Sequence, residues 1–172
     1  MALIDRREFG ALAGGLVTSL ALETACRAAQ PERNGGGRLK ARPRRGGATT
    51  ATGSGPRGLG GEREAILHLP KKAPDGPLPL LVLLHGAGGS GSGILYRLRL
   101  FSDEVGIAVL APDSRAGTWD AIRGSFGPDV EFLDRALARV FDQVDVDPAR
   151  VAVGGFSDGA TYAISLGLLN GD

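Results

Sequence analysis

The sequence predicts an α/β domain with a mostly parallel sheet and flanking helices. Three observations carry this. Short, wholly apolar runs recur between residues 80 and 153. A clear amphipathic helix lies between two of them. Glycine-rich turns follow two of the runs directly. Alternation of apolar strand and helix is the signature of a parallel sheet covered on both faces.

Ala65-Ile66-Leu67-His68-Leu69 reads as the first strand of the domain, ended by Pro70. Pro74 to Pro79 is a turn-rich connection. Leu80-Leu81-Val82-Leu83-Leu84 has no polar alternation, which suits a strand buried on both sides. A helix is expected near 94–104, then a strand at Ile107-Ala108-Val109-Leu110, closed by Pro112. From Pro128 the apolar residues Val130, Leu133, Leu137, Val140, Phe141 and Val144 recur at three- and four-residue steps, as on one face of a helix. Asp145-Val146-Asp147-Pro148 breaks it, Val151-Ala152-Val153 opens another strand, and a last helix follows from Ala160.

The front of the chain is different. Residues 1–61 carry ten Lys and Arg against four Asp and Glu, whereas residues 62–172 carry ten against fifteen. A mildly acidic body argues against a nucleic-acid-binding domain, which normally shows a basic face. The single cysteine, Cys26, rules out an intrachain disulfide.

Residues 1–29 read as an export signal: Arg6-Arg7, then an uncharged run over 10–22 that is short for a membrane span. Arg6-Arg7-Glu8-Phe9 resembles a twin-arginine signal, with Asp5 where Ser or Thr is preferred. Thr24-Ala25-Cys26 resembles a lipoprotein cleavage site, with Glu23 where an apolar residue is preferred. Lipidation of Cys26 and ordinary cleavage near Ala25 or Ala28-Ala29 both stay open. The expected location is periplasmic, extracellular or membrane-anchored, with membrane contact only through such an anchor. Residues 30–61, rich in Gly, Arg, Pro, Ser and Thr, read as a flexible linker, and 62–172 as the domain.

Two loops carry chemistry. The first is His85-Gly86-Ala87-Gly88-Gly89-Ser90-Gly91. Its glycines match the dinucleotide pattern G-x-G-x-x-G, and Asp113 follows the next strand where a ribose ligand would stand. Against that reading, Ser92-Gly93 extends the loop, whereas a dinucleotide site starts its helix inside the motif. No Lys-Ser/Thr follows, which excludes a P-loop. The second loop is Gly155-Phe156-Ser157-Asp158-Gly159, a G-x-S-x-G between strand and helix. In that context Ser157 is expected on a sharp turn that lifts its hydroxyl out of the sheet, with no room for side chains at Gly155 and Gly159.

HGAGG at 85–89, Ala111-Pro112-Asp113, Thr118-Trp119-Asp120 and GGFSDG at 154–159 together resemble the front half of an α/β-hydrolase. The resemblance is to exported esterases related to the phospholipase/carboxylesterase and polyhydroxybutyrate depolymerase families. It covers about half the chain. It implies that Ser157 is the catalytic nucleophile and that the backbone N–H groups of Ala87 and Asp158 form the oxyanion hole. It implies that His85, Gly86 and Gly88 support the loop. It implies a small-molecule or lipid-like ester as substrate and no metal or other cofactor. Trp119 and Phe126 are read either as lining an entrance or as packing residues.

In this fold the order is Ser, then Asp or Glu, then His. After Ser157 the sequence holds only Asp158 and Asp172 as acids and no histidine. The domain therefore reads as C-terminally incomplete, with the catalytic acid and base absent and little activity expected. A second sign is the strand 151–156, apolar on both faces, which would be left as an exposed edge. The alternative function is a non-catalytic exported or lipid-anchored protein that keeps the elbow but only binds a ligand.

Overall fold

A computed structural model describes residues 36–44, 52–55, 59 and 64–171. The export signal, with Arg6-Arg7 and Cys26, lies outside the described residues. No helix among the described residues is long and apolar enough to cross a membrane.

The strands are β1 (Gly53–Gly55), β2 (Ala65–Leu69), β3 (Leu78–Leu84), β4 (Ala108–Pro112) and β5 (Val146–Gly155). The helices are α1 (Gly91–Val105), α2 (Asp120–Arg123), α3 (Pro128–Gln143) and α4 (Asp158–Asn170). One sheet holds the strands in the order β1-β2-β4-β3-β5. β4, β3 and β5 are parallel; β1, β2 and β4 pair antiparallel. The class is α/β as expected, but the sheet is mixed. A parallel neighbour needs a long crossover, and residues 70–77 are too few for one, so β2 and β3 run in opposite directions with β4 between them.

The unbroken apolar run of β3 is explained by two covered faces. Leu80, Val82 and Leu84 join the larger core with Leu133, Leu137 and Val140 of α3 and Tyr162 and Leu166 of α4. Leu83 joins the smaller one with Leu95 of α1, Val109 and Ala111, and Leu81 packs against it. Every apolar residue that the helical period assigned to the inner face of α3 is buried, and Val144 with them.

α1 starts three residues earlier than expected, at Gly91. Ser90 caps it, accepting from Gly93 N at 3.1 Å. Gly106 ends it in the left-handed region at φ 73°, where glycine carries no steric cost.

The composition of residues 30–61 predicts a tether throughout, and the described part of it departs from that. Leu59 is buried, and Leu39 and Ala41 pack against the larger core. Lys40 N and Ala41 N donate to Asp134 Oδ1 at 2.6 and 2.8 Å. Asn170 accepts from Leu39 N at 2.8 Å and donates to Gly37 O at 2.7 Å. β1 adds Gly53–Gly55 to the sheet beside β2. Backbone hydrogen bonds to fixed side chains offset the ordering entropy that low hydrophobicity alone would not.

β5 has β3 on one side and no strand on the other among the described residues. Val151 is 40% exposed there, and Phe156, Ile164 and Leu168 nearby are exposed at 70%, 65% and 83%. The apolar edge anticipated from the sequence is present.

Candidate active site

Parallel pairing of β3 with β5 puts Leu84 beside Gly155, so the two glycine-bearing loops leave the sheet side by side. This is the carboxyl end of the strands, where α/β sheets place ligands.

Ser157 follows β5 directly and has φ 52° and ψ −121°. It is the one non-glycine residue with positive φ among the described residues. Such backbone costs about 1–3 kcal/mol and persists only where the surroundings dictate it. They do so here. A Cβ at Gly155 would lie 2.5 Å from Gly159 C and 2.7 Å from Leu84 O. A Cβ at Gly159 would lie 2.3 Å from Leu84 O and 2.5 Å from His85 O. The helix is thus packed onto the end of β3 through two glycines, and the residue between them takes the strain.

Ser157 is exposed, and its side chain makes no capping bond to α4. Its carbonyl accepts from Ala160 N and Thr161 N at 2.9 and 3.1 Å, so the helix begins at once. Positive dipole ends and unpaired N–H groups at a helix start favour negative charge there.

The first loop touches this elbow. A Cβ at Gly86 would meet Phe156 O at 3.2 Å and Ser157 Cβ at 3.3 Å. Gly88 needs glycine for its φ of 66° rather than for space, since nothing lies within 4 Å of a Cβ there. Its N–H donates to Gly117 O at 2.6 Å. Ala87 is exposed between them. Among the described residues, neither Ala87 N nor Asp158 N has an acceptor. An open cleft of about 540 Å³ runs along the loop, lined by Ala87, Gly88, Ile94, Arg97 and Phe156 among others.

His85 is 3% exposed and bonded at both ring nitrogens. Nε2 accepts from Ser114 N at 3.0 Å, so Nδ1 carries the proton and donates to Gly86 O at 2.7 Å. A ring so engaged has no free nitrogen for Ser157. The His85 carbonyl accepts from Trp119 Nε1 at 2.8 Å. Trp119 is fully buried and stacks on Tyr162 at 5.1 Å between ring centres. It is a packing residue, not the lining of an entrance, and Phe126 packs against the same tyrosine at 5.5 Å.

Composition and spacing did not reveal the buried carboxylates beneath the site. Asp120 N donates to Asp129 Oδ2 and Asp129 N to Asp120 Oδ2, both at 2.8 Å. Asp129 Oδ1 also accepts from Arg115 N, and Asp120 Oδ1 from Tyr162 OH. The starts of α2 and α3 therefore cap each other and fix the loop 113–120 under His85.

Asp113 separates the two readings of the first loop. Since α1 does begin within the glycine motif, the late helix start is no objection to a dinucleotide. The stronger objection is that Asp113 Oδ1 already accepts from Gly91 N at 2.6 Å. A carboxylate occupies the helix start where a pyrophosphate would need to sit, and Asp113 is drawn away from the position of a ribose ligand.

No protein-family model matches the chain, and no curated protein does. Among solved structures it is similar to an acetyl xylan esterase from Aspergillus awamori, with 18% identity and a TM-score of 0.48 over 61% of this chain and 41% of that one. It is similar to an S-formylglutathione hydrolase from Agrobacterium tumefaciens, with 19% identity and a TM-score of 0.49 over 62% and 48%. It is similar to EstE1, a thermophilic carboxylesterase from a metagenomic library, with 31% identity and a TM-score of 0.48 over 64% and 37%. The chain spans less than half the length of each.

Proposed function

We propose that this chain carries the nucleophile and the oxyanion-stabilising half of a serine ester hydrolase. The single observation behind this reading is the backbone of Ser157. A strained serine is held between two glycines that no other residue could replace, at a helix start and against a second glycine loop. A structural turn needs neither the strain nor the serine.

In the proposed reaction Ser157 Oγ attacks the ester carbonyl carbon. The N–H groups of Ala87 and Asp158 receive the negative charge that develops on the carbonyl oxygen; one such donor is worth roughly 10²–10³ in rate. The serine proton must pass to a base, since a neutral hydroxyl is a weak nucleophile. Neither histidine pairs with Ser157: His85 is engaged at both nitrogens and His68 is bonded to Ser54 and Asp103. The 172 residues are therefore proposed to hydrolyse esters slowly by themselves.

Imidazole in solution offers the missing base, which makes the site testable. Hydrolysis of p-nitrophenyl acetate by the 172-residue chain should rise with added imidazole by more than it does for Ser157→Ala. Equal rates for the two proteins, with and without imidazole, would sink the enzyme reading and leave a ligand-binding protein that keeps the elbow. The export signal, an anchor at Cys26 and a lipid-like ester substrate remain part of the proposal. The signal and the anchor are tested by the N-terminal mass of the protein recovered from membrane and soluble fractions, and the substrate class by comparing short-chain with long-chain p-nitrophenyl esters in the imidazole assay.

A further inference from the structure

His68 is 3% exposed, yet its ring joins two polar side chains far apart in sequence. Nε2 lies 2.9 Å from Asp103 Oδ1, and Nδ1 lies 2.7 Å from Ser54 Oγ. A carboxylate only accepts, so Nε2 carries the hydrogen and points it at Asp103. In the neutral ring Nδ1 then has a lone pair, and the Ser54 hydroxyl donates to it.

The third member is itself held in place. Asp103 Oδ1 accepts from Lys71 N at 3.1 Å, and Lys71 Nζ lies 3.6 Å from Oδ2. Burial pushes the Asp103 carboxyl up, but the Lys71 N–H, the His68 ring and the Lys71 charge together bring it below its ordinary value. Ser54 stands directly opposite His68 in the β1–β2 ladder, so strand register sets their approach. Ser54 is exposed, and a Cβ on neighbouring Gly53 or Gly55 would meet nothing within 4 Å.

A hydroxyl bonded to a base that a third group orients is the general signature of an activated nucleophile. We propose that Ser54, His68 and Asp103 form a second reactive relay, separate from Ser157, that takes an acyl group from aryl esters or thioesters. Ser54 Oγ attacks the carbonyl carbon and its proton passes to His68 Nδ1. The bond from carbon to the leaving phenolate or thiolate breaks, and the leaving group takes the proton back from Nδ1. The products are an ester on Ser54 and a free phenol or thiol. His68 is the base; Asp103 is a positioning residue. Base activation supplies about 10²–10⁴ in rate, which suffices for good leaving groups and not for alkyl esters. Ser54 acts as a stoichiometric acyl acceptor.

The test uses the 172-residue chain carrying Ser157→Ala, so that the proposed esterase site contributes nothing. On adding p-nitrophenyl acetate, a burst of phenolate approaching one per chain is expected, with acetyl mapped by mass spectrometry to Ser54. The burst rate should depend on pH, and Ser54→Ala should remove the burst. His68→Gln should slow it by about 100-fold. Asp103→Asn should slow it and alter its pH profile, a change that loss of strand pinning alone would not produce. The pH profile of the chain with native His68 tests the relay even if His68→Gln fails to fold. Acetylation of Ser54 no faster than that of exposed Ser92, or a burst indifferent to pH, would overturn the proposal.

Discussion

Thr118 Oγ1 donates to Asp158 Oδ2 at 2.6 Å, across forty positions of sequence. It anchors the residue after Ser157 to the buried Trp119 segment, which in turn holds the His85 carbonyl. The two loops of the candidate site are thereby fastened to one another from below.

Thr118→Val should cost about 1 kcal/mol of stability, since a hydrogen bond to a charged group is lost at a partly exposed site. Thr118→Ser should restore most of it. Urea unfolding of the three proteins measures this. Identical midpoints would mean that Asp158 is not held by Thr118.

Replacing the strained residue should have the opposite sign. Ser157→Gly should stabilise the chain by about 1 kcal/mol, because glycine adopts φ 52° without penalty. Gly159→Ala should destabilise by more than about 3 kcal/mol. Its Cβ would sit 2.3 Å from a backbone oxygen that cannot rotate away. Thermal unfolding of both variants is the check; a Ser157→Gly protein that melts lower would contradict a strained elbow.

Asp103 makes acid stability a readout. Its folded pKa lies below its ordinary value of 3.8. The contribution is therefore fully present above about pH 3.8 and lost as pH falls through the lower folded value. Asp103→Asn should lower stability at neutral pH and flatten the decline in that acid window. A parallel shift of the whole stability curve against pH would argue against it.

Asp134 tests the docking of the segment before the sheet. Asp134→Ala removes the acceptor shared by Lys40 N and Ala41 N. Limited trypsin digestion should then cut after Lys40 several-fold faster, while the core resists as before. Unchanged cleavage would mean that the apolar contacts of Leu39 and Ala41 hold the segment unaided.

Much of the site was legible because its signals are local. The apolar run of β3, the helical period of α3 and the spacing of Gly155, Ser157 and Gly159 are each dictated within ten or so residues. The side-chain collisions expected at Gly155 and Gly159 are those found. Helix α1 begins earlier than its composition suggests: Ser92 and Gly93 are weak helix formers, and the cap at Ser90 and the carboxylate of Asp113 outweigh that.

The sequence by itself thus determined the class, the main strands and helices between residues 65 and 170 and the place of Ser157 on a sharp strand-to-helix turn. Tertiary structure alone decided the antiparallel β2, the mutual capping of Asp120 and Asp129, the docking of residues 36–44 and the meeting of Ser54, His68 and Asp103. The reason is separation along the chain. Gly37 and Asn170 are 133 positions apart and His68 and Asp103 are 35 apart. No periodicity encodes such pairs; they are fixed by which strands lie side by side and in which register.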